Sequence, residues 1–381
     1  MLMSEHINST RQVTPACVQR KILLVTNSLD EFPNGGRELL CKLNYDVLLD
    51  MFGSSFFLFE LEKTGVTSFN GFINAFKGHI DGLDAATISQ IFLKIRTEKI
   101  ECLFIDGSNL GALAKQARHE FPELEIITFF HNVETIFFWD SLKHTRSLRA
   151  AAVLLVNYLA ERKAVSYSNR LICLSERDSG KLNSLFGRQA TDISAMAVKD
   201  TYTGTVFIEF EDNHDKYALF VGGVFYANLS GVLWYAEHIA PKIQIKTYVV
   251  GRGFELYKDK IERWGNIKVI GGVDSLELWY ANADFVVAPI FGGSGMKTKV
   301  AEALMFGKKV IGTSEAFSGY ESISSRVGSI CDDADQFIKT IEEVTAIDNN
   351  QFDEDLREIY EKNYSIDAAR LRLIQIMGES R

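Results

Sequence analysis

No run of about 18 apolar residues occurs in this chain, so no segment reads as a membrane-spanning helix. The stretch 1–20 has no apolar signal core and reads as a loose polar tail. Cysteine is sparse and scattered. Cys17, Cys41, Cys102, Cys173 and Cys331 form no C-x-x-C pair and are odd in number, which argues against a disulfide framework or a zinc site and for reduced thiols in a cytoplasmic protein. Basic residues are outnumbered, 41 Lys and Arg against 50 Asp and Glu, for a net charge of −9 and a pI near 5.4. Non-specific nucleic-acid binding needs a basic surface that displaces counterions, so no nucleic acid is expected as partner. No G-x-x-x-x-G-K-[ST] loop is present, and Ser175, Ser179 and His144 lack a nucleophile-elbow context, so neither a P-loop NTPase nor a triad hydrolase is indicated.

What is present is ordinary globular material, 46% hydrophobic and 24% charged. Its 381 residues exceed the ~250–300 at which one core stops growing, so two domains are expected. Short continuous Ile/Leu/Val/Phe runs alternate with helix-period stretches. Lys21–Asn27, Ser55–Leu61, Glu101–Asp106, Leu124–Phe130 and Asn169–Leu174 form one series of strands. Tyr217–Val221, Lys246–Val250, Asn266–Ile270, Asp284–Ala288 and Lys309–Gly312 form a second. Runs without polar alternation, separated by helices, indicate parallel sheets covered on both faces. The expected organisation is a tail over 1–20, one Rossmann-like domain over 21–190, a second over 191–352, and charged helices over 353–381 that pack back on the first. Two such domains leave a cleft between their strand ends, where α/β ligands bind.

One segment carries the chemistry. A strand ends at Pro289, Gly292-Gly293-Ser294-Gly295 follow, and a helix begins near Met296 or Lys297. A glycine loop feeding a helix N-terminus bares backbone N–H groups at the positive end of the helix dipole, an arrangement suited to a diphosphate. Lys297 and Lys299 add cationic donors, and Glu302 offers a carboxylate to ribose hydroxyls. Elsewhere, His131 follows an apolar strand in His131-Asn132-Val133-Glu134, at a carboxyl end where α/β sites form. Arg252 follows Val249-Val250-Gly251 and reads equally as a phosphate contact or a rim arginine. Asp332-Asp333-Ala334-Asp335 reads as a helix cap and first turn, not a metal site. Ser147–Val165 reads as a buried core helix, with an interfacial helix as the alternative.

Residues Pro289 through Thr313 follow P-x-x-x-G-S-G-M-K-T-K-x-x-E-A-x-x-x-G-K-x-V-I-G-T. This resembles the donor-site motif of glycosyltransferase family four on the GT-B fold, in the branch with a G-S-G-M-K-T-K loop. Leu219–Asn228 and the H-N-V-E stretch resemble further parts of that pattern. The resemblance implies a metal-independent, retaining transfer from a nucleotide-sugar to a hydroxyl of a saccharide or lipid-linked saccharide, in bacterial surface-polysaccharide synthesis. It implies a cytoplasmic location with room for peripheral contact at the inner membrane face, and no cofactor. It places Glu302 on the donor ribose, Lys297 and Lys299 toward the diphosphate, Gly293, Ser294 and Gly295 under the donor, Gly35 and Gly36 over its phosphates, and His131 near the transferred sugar as the catalytic candidate. One departure stands out. Many members carry a glutamate eight residues before the ribose glutamate, and here that position is Ser294. A non-catalytic partner subunit and a sugar-nucleotide epimerase therefore stay open as alternatives.

Overall fold

The computed structural model describes residues 20–27, 29, 36–62, 75–76, 78–204, 216–347 and 352–378. Its strands are β1 (Ile22–Asn27), β2 (Phe56–Leu61), β3 (Cys102–Asp106), β4 (Glu125–Phe129), β5 (Arg170–Cys173), β6 (Asp192–Ile193), β7 (Tyr217–Val221), β8 (Lys246–Val250), β9 (Ile267–Gly271), β10 (Phe285–Ala288), β11 (Val310–Gly312) and β12 (Gly328–Ile330). The helices are α1 (Gly36–Phe52), α2 (Ala85–Glu98), α3 (Gly111–Glu120), α4 (Glu134–Thr145), α5 (Leu148–Tyr167), α6 (Glu176–Phe186), α7 (Tyr226–His238), α8 (Lys258–Glu262), α9 (Glu277–Asn282), α10 (Thr298–Met305), α11 (Ser324–Val327), α12 (Ala334–Ala346), α13 (Glu354–Asn363) and α14 (Ile366–Gly378).

The strands form two six-stranded sheets, β2-β1-β3-β4-β5-β6 and β12-β11-β10-β7-β8-β9. Every pairing in them is parallel. The apolar runs explain why: β3, β5, β7 and β10 are buried along their whole length, because helices cover both faces. Helices begin and end where the local chemistry says they must. Asp84 caps α2 by accepting from Thr87 N at 2.7 Å, and Lys99 closes it in the left-handed conformation at φ 56°. Asp333 caps α12 by accepting from Gln336 N at 2.9 Å, which accounts for the acidic run at 332–335.

Two doubly wound sheets reverse strand order at one place each, between β1 and β3 and between β7 and β10. Ligands bind outside the carboxyl ends of strands at such points. The C-terminal helices tie the halves together. Helix α13 packs on α10, and Tyr360 Oη donates to Val198 O at 3.0 Å. Helix α14 packs on α1, and Arg170 reaches Ile376 O at 2.8 Å.

The helix over 148–167 is neither wholly core nor wholly surface. Its second half buries Val156, Ala160, Glu161 and Ala164, while Leu148 is 92% exposed and Leu155 47%.

Candidate active site

The two reversal points face each other. From the second sheet, the chain leaves β10 through Pro289 and turns at Gly293 (φ 111°) and Gly295 (φ 69°) before α10 starts at Thr298. Side chains rarely adopt such backbone, which is why glycine occupies both positions. A Cβ at Gly295 would also crowd Asn132 Cβ at 3.3 Å, so the loop lies directly against the His131–Glu134 segment of the other domain. Gly293 N donates to Asp140 Oδ2 at 3.4 Å, and Ser294 Oγ donates to Val133 O at 3.3 Å. Gly36, at the start of α1, faces α10 across the same gap, its absent Cβ 3.4 Å from Thr298 Cγ2. Gly35 lies outside the described residues.

Lys299 and Glu302 project inward from α10. Lys299 is 6% exposed, donates to Asn228 Oδ1 at 2.9 Å and sits 4.2 Å over the Phe220 ring. Burial lowers its pKa to about 7, against the pull of Glu302. Glu302 accepts from Tyr280 Oη at 2.6 Å. Burial pushes its pKa up, opposed by Tyr280 and Lys299. The ammonium stands where β7 ends: a Cβ on Gly222, whose φ is 150°, would lie 3.3 Å from Lys299 Nζ.

Lys297 behaves differently from what its place in the motif suggests. It is the N-cap of α10, not part of its first turn, and its ammonium turns back to Gly295 O at 2.9 Å and Glu315 Oε1 at 3.0 Å. Glu315 is held in turn by Arg177 of α6 at 2.6 Å, so an ion triad crosses between the halves. Burial is the largest influence on Glu315 and would raise it, but Lys297 and Arg177 together hold it below the usual carboxylate range. Arg252 is exposed, and no hydrogen bond or ion pair engages its guanidinium among the described residues. Its carbonyl accepts from Val224 N at 3.1 Å, which places it on the loop beside Gly222.

On the opposite wall, His131 is 8% exposed and its Nε2 lies 2.9 Å from Asp106 Oδ1 at the end of β3. Asp106 also accepts from Thr26 Oγ1 at 2.8 Å and Asn44 Nδ2 at 2.9 Å. Burial would raise Asp106, but His131, Thr26 and Cys41 together hold it below the usual carboxylate range. An ionised carboxylate only accepts, so an Nε2–H faces Asp106, and Nδ1 has no partner among the described residues. The segment's position is fixed by Glu161 of α5, wholly buried. It accepts from Ser108 Oγ at 3.0 Å, Glu134 N at 2.8 Å, Thr135 N at 2.9 Å and Thr135 Oγ1 at 2.5 Å. This carboxylate satisfies the free N–H groups at the start of α4.

Sequence reasoning missed Asp106, Asn228, Tyr280, Glu315 and Glu161. Asp106 had a signal, since it ends the run ECLFID beside a reversal point. Among the described residues, the one group of metal-type ligands within mutual reach is Cys41, Asp106 and His131, where Asp106 already engages His131.

Residues 215–346 match the model of the glycosyl transferases group 1 family. No curated protein sequence matches the chain. Among solved structures, sucrose-phosphate synthase from Thermosynechococcus elongatus superposes with a TM-score of 0.69 at 13% identity, over 94% of this chain and 98% of that one. A glycosyltransferase from Rickettsia africae gives 0.65 at 13% identity, over 94% and 98%. Anabaena HepE in complex with UDP gives 0.64 at 11% identity, over 94% and 99%. Residues 215–346 thus resemble a group 1 glycosyltransferase domain, and the chain as a whole has the GT-B fold of two facing parallel-sheet domains.

Proposed function

We propose that the protein transfers a sugar from a nucleotide-sugar donor to a hydroxyl of a saccharide or lipid-linked saccharide, with retention and without a metal. The observation that carries this reading is the placement of the Gly293–Gly295 loop, Lys299 and Glu302 at one reversal point, directly opposite His131 at the other. The loop amides and Lys299 meet the diphosphate, Glu302 takes the ribose hydroxyls, and Gly36 closes over the phosphates. Fixed donors there stabilise the charge that grows on the departing diphosphate. His131 sits on the sugar side, and Arg252 on the rim. Lys297 acts through Glu315: a diphosphate competes with that carboxylate for the ammonium. That the HepE neighbour is in complex with UDP and with UDP-glucose supports a uridine donor. Retention, metal independence and a role in bacterial surface polysaccharide rest on the motif resemblance. The test is a melting series without added metal, against UDP-, GDP-, ADP-, dTDP- and CMP-sugars. A rise with one nucleotide family is expected, by mass action on the folded state. No rise with any of them would instead favour the non-catalytic partner subunit.

A cytoplasmic protein that touches the membrane surface is the second part of this reading, and a separate observation supports it. A groove of about 450 Å³ between α4, α5 and α6 is lined by Ile136, Trp139, Leu154, Leu155 and Tyr158. Leu148 stands exposed at the start of α5, Lys143, Arg146 and Arg149 are exposed on either side of it, and no acidic residue occurs from 141 to 160. No helix among the described residues is long and apolar enough to cross a membrane. Sedimentation with phosphatidylglycerol vesicles is expected for the intact protein and severalfold less for Leu148→Asp. Equal sedimentation of both would remove this surface from the account.

A further inference from the structure

A carboxylate packed inside a protein tends to take up a proton, and a protonated carboxyl is the poorer acceptor. Glu302 on α10 meets that difficulty, since desolvation pushes its pKa up. Four groups face it. Lys299 and Thr298 lie on its own helix, Tyr280 comes from α9, and Tyr320 from the turns after β11. Tyr320 spends its proton elsewhere, donating to Lys297 O at 3.0 Å. Lys299 gives up its charge near pH 7. Tyr280 is the constant one. It is 1% exposed, and its Oη donates to Glu302 Oε2 at 2.6 Å, a short bond of the kind made to an ionised acceptor. Burial and the Glu302 charge hold the phenol well above its usual range, so it stays a donor wherever the carboxylate is ionised. The ring is held as well. It stacks on Phe306, one turn beyond Glu302, at 5.1 Å between centroids and 5° between planes. Glu302 itself is half-buried, so this pair is not sealed off from a ligand.

We propose that Tyr280 is a positioning residue for the donor ribose: its hydroxyl fixes the Glu302 carboxylate, whose remaining lone pairs then select a nucleotide with both ribose hydroxyls over one without them. A carboxylate offers about four acceptor sites, and the phenol takes one, so capacity is left for the two hydroxyls of a ribose. A glutamate side chain that is already aimed loses little freedom when the ligand arrives, which favours binding. The same bond favours the ionised form, the better acceptor for a hydroxyl. Tyr280 thus touches neither the diphosphate nor the ribose and acts only through Glu302. The inference rests on the donor reading, in which Glu302 takes the ribose hydroxyls.

The experiment is titration calorimetry on the full chain with UDP, 2′,3′-dideoxyuridine diphosphate and inorganic pyrophosphate, for the wild type, Tyr280→Phe, Glu302→Gln and the double variant. Phenylalanine keeps the ring on Phe306 and removes only the hydroxyl, and melting is recorded alongside. The wild type is expected to prefer UDP over the dideoxy nucleotide by tenfold or more, about the worth of one charge-assisted hydrogen bond. Tyr280→Phe should erase most of that preference and leave pyrophosphate unchanged. In the Glu302→Gln background the same change should cost nothing further. The ratio of the two affinities also has a pH profile. Both nucleotides carry the same diphosphate, so titration of Lys299 cancels in the ratio. Without the phenol the Glu302 pKa rises further, and as pH falls the preference is lost at a higher pH than in the wild type. A preference that needs Glu302 but survives in Tyr280→Phe, or a variant that loses pyrophosphate along with UDP, would overturn this inference alone. No preference in the wild type, or one unchanged in Glu302→Gln, would fell the ribose role of Glu302 as well.

Discussion

Lys299→Ala lowers the affinity for a nucleoside diphosphate by about tenfold to a hundredfold, the range of one charge-assisted hydrogen bond to a buried partner. It also flattens the pH dependence of binding. The sign follows from burial. Free Lys299 has its pKa lowered to about 7, so below that pH the ammonium is ready for an anion, and above it the amine is neutral. A bound diphosphate favours the charged form and raises the pKa, so binding takes up a proton above pH 7. Affinity therefore holds below pH 7 and falls as pH rises through it, by up to about tenfold per unit until the bound-state pKa is reached. Titration calorimetry with UDP in two buffers of different ionisation enthalpy reads that proton directly. A wild-type affinity flat from pH 6 to 9, or an alanine variant that binds equally well, would remove Lys299 from the donor site.

Glu161→Leu has the largest effect expected on stability. The leucine fills the space but strands the N–H groups of Glu134 and Thr135 and the hydroxyls of Ser108 and Thr135. At ~1–3 kcal/mol for each stranded N–H, the cost is on the order of 4 kcal/mol. That is a large share of an ordinary folding free energy of ~5–15 kcal/mol. Melting followed by circular dichroism should fall by roughly 10 °C. Glu161→Gln should be milder, since its carbonyl oxygen still accepts. A leucine variant that melts with the wild type would show that α4 finds its start without this carboxylate.

The frame was legible in the sequence because its signals are local. Most strands fall within one residue or two of their apolar runs. The exceptions are β6 and β12, with 2 and 3 residues, too short to leave a periodic signal. The glycine turn before α10 was legible, yet the direction of a side chain was not. Lys297 and Lys299 look equivalent in M-K-T-K, and only the fold turns one to Glu315 and the other to Asn228. Glu161 was hidden for a similar reason. It lies 26 or 27 residues from the backbone it caps, and in a helix whose apolar run suggested core or membrane surface. The Asp106–His131 bond joins two strand ends that become neighbours only when β3 and β4 pair.

A crystal structure of the protein grown with UDP tests the central claim most directly. The account predicts the diphosphate against the Gly293–Gly295 amides and Lys299, with the ribose hydroxyls on Glu302 and Gly36 over the phosphates. UDP bound elsewhere, or held with Lys299 and Glu302 untouched, would contradict it.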